Sequence, residues 1–315
     1  MNIQELLQTN LSRELYAEAD FDIFWELTKK EADAEPLSPT FEPYPFCEEI
    51  ADVKRVYFNG FGGGRLEAIL LKPKQVKEPT PALLFTHGYS MGNKYISGFL
   101  KWLLAGFSVL IVNMRVEIPI RNTDLPSCRV PGGIMTRGIE TPDTYIYRYM
   151  YADTYRSIRL LRSMDGIDPD HIGIWGASQG AAVAVAAAAL DGNIRFLSLL
   201  YPYMNHIKSG IEKQVDGPFQ EIWRYFRLYD PELTTMPDIC KTLSYFDIMH
   251  FADRIKCPVL VAAGLKDNVC RPQHTVGFYN LLSCEKELKL YHTHGHEDIP
   301  AFEDASYLFC VKHSK

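Results

Sequence analysis

The sequence predicts an α/β fold in which a mostly parallel β-sheet carries helices on both of its faces. Short apolar runs alternate with longer segments of helical periodicity over most of the 315 residues. The runs are apolar at consecutive positions, which is typical of strands that are buried on both faces. We therefore expect a single domain over residues 1–315, with an N-terminal extension and a helical insertion.

The first 50 residues are predicted to form the extension. The spacing over residues 21–30 indicates a helix with Phe21, Phe24, Trp25 and Leu27 on one side. Prolines at positions 36, 39, 43 and 45 follow, and they disfavour helix and favour extended chain. We expect this segment to wrap over the body of the protein.

Eight runs read as strands, at residues 53–59, 66–71, 82–86, 109–113, 172–175, 196–200, 258–263 and 287–291. The first two are joined through the glycine-rich turn at residues 60–64, which predicts a hairpin. Helices are predicted at residues 94–104, 143–163, 181–190 and 299–311.

The segment from about residue 204 to residue 252 departs from this alternation. It is long, helical in parts and rich in Trp, Tyr and Phe. We interpret it as a cap inserted over the ends of the strands. Its aromatic residues are expected to form a tight pocket for a small acyl group; they are Trp223, Tyr225, Phe226 and Tyr229.

Composition and charge exclude several classes of function. Lys and Arg total 33 against 39 Asp and Glu, the net charge is −6, and no basic block indicates nucleic-acid binding. The longest apolar run has ten residues, half of what a membrane span needs. The seven cysteines form no C-x-x-C pair, and the first residues lack the pattern of a secretion signal. We expect a cytoplasmic protein without nucleic-acid or membrane partners.

The clearest chemical motif is Gly176-Ala177-Ser178-Gln179-Gly180, which fits G-x-S-x-G. A predicted strand precedes it and a helix of small residues follows it. A sharp turn between the two would lift the Ser178 hydroxyl clear of the sheet, and the glycines allow the close backbone approach. The alternative is an ordinary strand-to-helix turn with an incidental serine.

A serine nucleophile needs a base, and the base needs an acid that orients it. On this architecture the chain order is serine, acid, histidine, which selects Asp267 and His296. Both follow predicted strands and therefore lie at the carboxyl ends of the strands, where such folds place their sites. Asp267 could instead cap a helix that begins near Pro272, and Asp253 is a weaker candidate because it precedes its strand.

Three histidines at positions 292, 294 and 296 suggest a metal site, because alternate residues share one face of a strand. Gly295 interrupts that strand, however, and no H-E-x-x-H motif or cysteine partner accompanies the histidines. We therefore expect no metal.

Acyl transfer also needs hydrogen-bond donors for the oxyanion of the tetrahedral intermediate. The backbone N–H of Gln179, directly after the nucleophile, is one candidate. The second comes from the loop after an earlier strand, and here it is the backbone N–H of Tyr89. The alternative for this loop is a plain glycine turn at Gly88.

Taken together, these residues resemble the acetyl xylan esterase / cephalosporin-C deacetylase family of carbohydrate esterases, which has the α/β-hydrolase fold. The matching segments are Phe21-Asp22-Ile23-Phe24-Trp25, Phe61-Gly62-Gly63-Gly64-Arg65, His87-Gly88-Tyr89, Met135-Thr136-Arg137-Gly138-Ile139, Pro142-Asp143-Thr144-Tyr145, the Ser178 motif, Gly264-Leu265-Lys266-Asp267 with Val269-Cys270, and Gly295-His296-Glu297.

The resemblance implies that Ser178 is the nucleophile, Asp267 the acid and His296 the base. It also implies that the N–H groups of Tyr89 and Gln179 form the oxyanion hole, with Tyr89 also contacting substrate. The family removes acetyl groups from sugars and cephalosporins without a cofactor. Its members are typically cytoplasmic homo-oligomers, commonly hexamers with the sites facing an inner chamber.

One motif departs from the family. Where the family has Arg-Gly-Gln, this chain has Arg115-Val116-Glu117. Valine disfavours positive φ, and a carboxylate near the oxyanion would oppose its charge. Two other hypotheses therefore stand beside the esterase: a catalytically weakened relative used for binding, and a peptidase or lipase on the same fold.

Overall fold

A nine-stranded sheet forms the centre of the described part of the chain. The computed structural model describes residues 2–11, 16–46, 48–91, 95–115 and 133–314. The strands are β1 (Thr40–Pro43), β2 (Ala51–Asn59), β3 (Arg65–Pro73), β4 (Thr80–Thr86), β5 (Ser108–Val112), β6 (Ile167–Ala177), β7 (Phe196–Leu200), β8 (Val259–Gly264) and β9 (Lys286–Tyr291).

The order across the sheet is β1-β2-β3-β5-β4-β6-β7-β8-β9. Strands β1, β2, β3 and β5 pair antiparallel, and the six strands from β5 to β9 pair parallel. Every residue of β5, β7 and β8 is buried, as expected of strands covered on both faces. The predicted α/β architecture and the predicted hairpin are confirmed.

The helices are α1 (Ile3–Leu7), α2 (Phe21–Ala34), α3 (Leu100–Leu104), α4 (Ile146–Arg162), α5 (Gln179–Asp191), α6 (Ile207–Glu212), α7 (Gln220–Tyr229), α8 (Met236–Ser244), α9 (Pro272–Leu281) and α10 (Pro300–His313). Three short 3₁₀ helices lie at Phe61–Gly63, Ser97–Phe99 and Ile248–Arg254. The helix predicted at 94–104 is shorter than expected: its α-helical part begins at Leu100, behind a 3₁₀ turn, and residue 94 lies outside the described residues.

The N-terminal extension is part of the core. Trp25 is completely buried, stacks on Tyr151 of α4 with ring centroids 5.6 Å apart, and donates its indole N–H to the Tyr245 carbonyl at 2.8 Å. The inward face of α2 was predicted wrongly at Leu27, which is 53% exposed; Thr28 and Ala32 are buried instead. That face follows the positions 21, 25, 28 and 32, which is the helical spacing.

Strand β1 lies in the proline-rich part of the extension and was not predicted. It pairs with β2 at the edge of the sheet, with Thr40 opposite Tyr57 and Pro43 opposite Lys54. An edge strand tolerates proline because one side of its backbone needs no ladder hydrogen bond. The proline pattern therefore concealed a short strand.

The predicted cap corresponds to the chain between β7 and β8, which contains α6, α7, α8 and a 3₁₀ helix. Within the described residues, none of the helices is long and apolar enough to cross a membrane. Because the extension packs against α4 and against Tyr245 at the end of the insertion, we propose that the chain folds as one domain.

Candidate active site

Ser178 occupies a sharp turn between β6 and α5. Its backbone has φ 55° and ψ −120°, a conformation that non-glycine residues rarely adopt. A Cβ on Gly180 would lie 2.1 Å from the Thr86 carbonyl oxygen, and one on Gly176 would lie 2.5 Å from the Gly180 oxygen. The two glycines therefore let α5 start against the end of β4, which fixes the strained turn.

Asp267 lies three residues beyond the end of β8 and is buried. Its Oδ1 accepts hydrogen bonds from the backbone N–H groups of Val269 and Cys270, both at 2.8 Å. These two bonds orient the carboxylate and leave Oδ2 for another donor. The helix-capping alternative for Asp267 is not what the structure shows, because α9 begins at Pro272 behind Arg271.

His296 lies in the loop after β9, and its ring joins Asp267 to Ser178. Nδ1 is 2.8 Å from Asp267 Oδ2, and Nε2 is 3.1 Å from Ser178 Oγ. Since the carboxylate only accepts, Nδ1 carries the proton and Nε2 can accept the serine proton. A Cβ on Gly264 would lie 2.6 Å from the Gly295 oxygen, so glycine allows the loops after β8 and β9 to meet.

Cys270 is a buried neighbour of the site that the sequence did not single out as functional. Burial raises the pKa of its thiol, and so does the nearby Asp267 carboxylate, whereas a hydrogen bond with Ser178 lowers it. Burial dominates, and the thiol is therefore protonated at neutral pH. In the sequence Cys270 belongs to no C-x-x-C pair, so no motif indicated a chemical role for it.

The two candidate oxyanion donors come from the start of α5 and from the loop after β4. Gln179 is the first residue of α5, at the positive end of that helix. Tyr89 follows β4 and lines the cavity described below. Its loop is held by His87, whose Nδ1 donates to the Gly88 oxygen at 2.8 Å and whose Nε2 accepts from the Met114 N–H at 3.0 Å. Burial lowers the pKa of His87, which keeps the ring neutral for this pair of bonds.

Arg115, the first residue of the motif that departs from the family, is buried. It donates two hydrogen bonds to Asp153, at 2.8 and 2.9 Å, and one to the Phe61 carbonyl at 2.6 Å. It therefore ties the end of β5 to α4 and to the turn between β2 and β3. Val116 and Glu117, together with the loop that follows them, lie outside the described residues.

A cavity of about 530 Å³ opens above Ser178 and His296. Its apolar wall includes Phe85 and Trp175, whose ring centroids lie 4.5 Å apart in a stacked arrangement, and Met91, Tyr201 and Val269 also line it. Tyr201 also lies 4.4 Å from the His296 ring. Glu297 and Asp298 lie at the same wall.

The aromatic residues of the insertion were predicted to form the acyl pocket. This prediction is wrong for the cavity wall formed by the described residues. The insertion contributes Gly217 and Pro218 to the cavity, rather than its large rings. Trp223 donates to the Ile211 carbonyl within the insertion, Tyr225 and Phe226 are buried in the core, and Tyr229 is 49% exposed. The buried face of α7, with Ile222, Tyr225 and Phe226, therefore packs within the protein and does not line the cavity.

The remaining candidates lie apart from this arrangement. His292 and His294 follow β9 in a turn, so they do not share a strand face with His296. Asp253 is exposed in the 3₁₀ helix before β8. Within the described residues, the group with metal-ligand atoms in mutual reach is Asp267, Cys270 and His296. The structure thus brings together Ser178, Asp267 and His296 from three distant parts of the sequence.

Comparisons with known proteins find acetyl xylan esterases and an acetyl esterase among the similar proteins. The family model described as acetyl xylan esterase (AXE1) matches residues 1–313. The acetyl xylan esterase from Paenibacillus sp. R4 is 31% identical, with 99% of this chain and 100% of that chain covered and a TM-score of 0.93. Acetyl xylan esterase 1 from Thermoanaerobacterium sp. JW/SL YS485 is 29% identical, with 100% and 99% covered and a TM-score of 0.93.

A curated relative, the acetyl esterase Axe7A of Xylanibacter ruminicola, is 25% identical over 287 residues. The match covers 85% of this chain and 61% of the relative, so the chain spans less than two thirds of that protein's length.

Proposed function

Because the chain belongs to the acetyl xylan esterase family of carboxylic ester hydrolases, with their α/β-hydrolase fold, we propose that it is a serine esterase. It removes small acyl groups, chiefly acetyl, from acetylated sugars or related small esters. The observation that carries the proposal is the relay from Asp267 through His296 to Ser178, with hydrogen bonds of 2.8 and 3.1 Å.

In the proposed mechanism, Ser178 Oγ attacks the ester carbonyl while His296 Nε2 takes the hydroxyl proton. Asp267 keeps the ring oriented and stabilises the imidazolium that forms. The backbone N–H groups of Tyr89 and Gln179 stabilise the negative oxygen of the tetrahedral intermediate. The intermediate expels the sugar alcohol, which takes the proton from His296, and the acyl group remains on Ser178.

Deacylation repeats these steps with water as the nucleophile. His296 takes a proton from the water, the second tetrahedral intermediate forms, and its collapse returns that proton to Ser178 Oγ. The products are the free hydroxyl of the sugar and a carboxylic acid, so atoms and charge balance without a cofactor. Acetylated sugars are the proposed substrates because the similar proteins are named acetyl xylan and acetyl esterases. Cephalosporin-like acetates are a second proposed class.

The first test is Ser178→Ala, assayed on 4-nitrophenyl acetate and on acetylated xylose. We expect the rate to fall by several orders of magnitude, since the three residues act as a unit. Ser198→Ala is the matched control: Ser198 is also buried, but its hydroxyl pairs with Ser306 at 2.7 Å, in β7. Turnover by Ser178→Ala close to that of the control would refute the mechanism.

The second test concerns acyl length. The aromatic wall of Phe85, Trp175 and Tyr201 faces Ser178, and we expect acetate esters to have a higher kcat/KM than butanoate or octanoate esters. Overpacking against rigid stacked rings costs more than additional methylenes contribute by burial. A preference for octanoate would favour a lipase-like activity instead, and release of amines from peptides would favour a peptidase. If the wild type binds acetylated sugars but turns over none of these esters, the weakened relative is the better description.

We also propose that the protein is cytoplasmic and assembles as a homo-oligomer, up to a hexamer. Both proposals rest on the family resemblance.

A further inference from the structure

The side chains of the two proposed oxyanion residues belong to one hydrogen-bonded network outside the catalytic relay. The Tyr89 hydroxyl donates to Glu221 Oε1 at 2.6 Å, and Glu221 lies in the first turn of α7, in the insertion. On the other side, the Gln179 side chain accepts from the Tyr147 hydroxyl of α4 at 2.8 Å. Neither contact has a part in the mechanism above.

The two halves of the network meet at Met135. Its backbone N–H donates to Glu221 Oε2 at 3.0 Å, and its Sδ lies 3.2 Å from the Tyr147 hydroxyl. The neighbouring Ile134 N–H donates to the Tyr89 hydroxyl at 3.2 Å. Met135, Tyr147 and Gln179 are fully buried, so water does not compete for the Tyr147 end of the network.

The Glu221 carboxylate accepts one hydrogen bond at each of its two oxygens. Burial raises the pKa of Glu221 above its ordinary value, and the hydrogen bonds from Tyr89 and Met135 together with the nearby Arg224 oppose that rise. An ionised carboxylate accepts at both oxygens, which is what the two donors from Tyr89 and Met135 require.

We propose that Glu221 and Tyr147 are positioning residues that hold the two oxyanion donors, Tyr89 and Gln179, at one spacing. Glu221 anchors the loop after β4 to the insertion, and Tyr147 anchors the start of α5 to α4. This inference rests on the proposed function. An oxyanion hole stabilises the transition state only when its donors lie 2.7–3.1 Å from the developing charge, so small displacements are costly.

The same network assigns a role to the insertion. Glu221 joins the insertion to Tyr89 through this hydrogen bond. Helix α7 therefore supports the oxyanion side of the site, even though the rings of α7 do not line the cavity. Loss of this contact leaves Ser178, His296 and Asp267 in place. We therefore expect a defect in the rate of acyl transfer rather than in substrate binding.

The test compares Tyr147→Phe, Tyr89→Phe and Glu221→Ala with the wild type on 4-nitrophenyl acetate. We expect kcat to fall about 10- to 100-fold in each, with KM changed less than about two-fold. Glu221→Gln retains one acceptor oxygen, so its kcat should lie between those of the wild type and Glu221→Ala. The control is Tyr151→Phe: Tyr151 is also fully buried in α4, but its hydroxyl donates to the Phe246 carbonyl at 2.8 Å, away from the network.

A second readout separates positioning from a general loss of structure. Phenylboronic acid forms a tetrahedral adduct on the serine, with an oxygen at the oxyanion position. Its inhibition constant should rise in proportion to the fall in kcat, because both depend on the same donors. The double variant Tyr89→Phe/Glu221→Ala should be slowed by less than the product of the two single effects, since the Tyr89–Glu221 bond is lost in both single variants.

The outcomes distinguish the inference from the function on which it rests. An inactive wild type, or an active Ser178→Ala variant, overturns the proposed function and the network with it. An active wild type whose Tyr147 and Glu221 variants keep kcat and boronate affinity overturns the network alone. So does an equal loss in Tyr151→Phe. If Glu221→Ala fails to fold, Tyr89→Phe tests the same bond with its ring retained.

Discussion

At the scale of one residue, Gly180 shows how the sharp turn at Ser178 constrains the sequence. Its Cα is so close to the end of β4 that a Cβ would meet the Thr86 oxygen at 2.1 Å and the His87 oxygen at 2.9 Å. One is a backbone atom of the last residue of β4, and the other belongs to the first residue of the loop that carries Tyr89. They cannot move away as a flexible side chain could, so any larger residue displaces either α5 or that loop.

We expect Gly180→Ala to lower the free energy of unfolding by about 3 kcal/mol or more, because it overpacks backbone against backbone. Gly192→Ala, at the other end of α5, is the matched control. Gly192 has φ 76° but nothing within 4 Å of a Cβ, so its cost is the left-handed strain of about 1 kcal/mol. Urea denaturation of both variants checks the difference, and equal losses would contradict the steric argument.

At the scale of elements, Asp230 joins α7 to α8. Its carboxylate accepts four hydrogen bonds, from the backbone N–H and hydroxyl groups of Thr234 and Thr235, at 2.7–3.0 Å. The backbone bond from Thr235 is the largest cause that lowers the pKa of Asp230 to about 2. The turn thus holds the helix that carries Glu221 against the rest of the insertion.

Asp230→Ala removes all four bonds, and we expect the insertion to open more often as a result. Amide hydrogen exchange of α7 and α8 should accelerate, while exchange in β6 and β7 stays unchanged. Since the folded-state pKa of Asp230 is depressed, its contribution is present above about pH 4 and is lost as the pH falls towards 2. Glu232→Ala, an exposed residue of the same turn, should leave exchange unaltered. Uniform acceleration in both variants would contradict a specific role.

Much of the fold was predictable from the sequence because buried parallel strands leave a strong apolar signal. The runs at β4, β5, β7 and β8 were all recognised. Ser178, Asp267 and His296 could be proposed because each follows a strand in the expected order, and the structure places them in contact. Strand β1 was missed because it has four exposed residues and ends in a proline.

The lining of the cavity was not predictable from composition. A segment rich in aromatic residues is expected to pack against a core. Its composition does not indicate which of those side chains face a cavity. Phe85 and Trp175 lie inside strands, where they read as ordinary core residues. The Glu221 and Tyr147 contacts join residues 132 and 32 positions apart, and no local pattern indicates such pairs.

At the scale of the whole molecule, buried neutral histidines link stability to pH. His274 is 7% exposed, and burial lowers its pKa to about 3, with further contributions from His206, Lys213 and Arg271. In the unfolded chain the same ring titrates near 6.5. The folded state therefore excludes a proton that the unfolded state accepts, and stability is full above pH 6.5 and declines as the pH falls towards 3.

We expect the free energy of unfolding to fall by about 1.4 kcal/mol per pH unit below pH 6 through His274 alone. His274→Gln should be less stable at pH 7.5, because it loses the edge-to-face contact with His206 at 4.9 Å. Its deficit should shrink as the pH falls. Denaturation curves between pH 4.5 and 7.5 test this, with His292→Gln, at an exposed position, as the control. A constant deficit across that range would show that His274 does not titrate between the two states.

The position of β9 has a consequence for how the protein loses activity on warming. Among the described strands β9 pairs with β8 alone, and all of its residues are at least partly exposed. Edge strands with little buried surface open locally at lower free energy than the centre of a sheet. His296 lies in the loop that follows β9, whereas Ser178 directly follows the central β6. We therefore expect heat inactivation to begin with local fraying that removes His296, the proposed base, from Asp267 and Ser178, at temperatures where circular dichroism still reports an intact sheet.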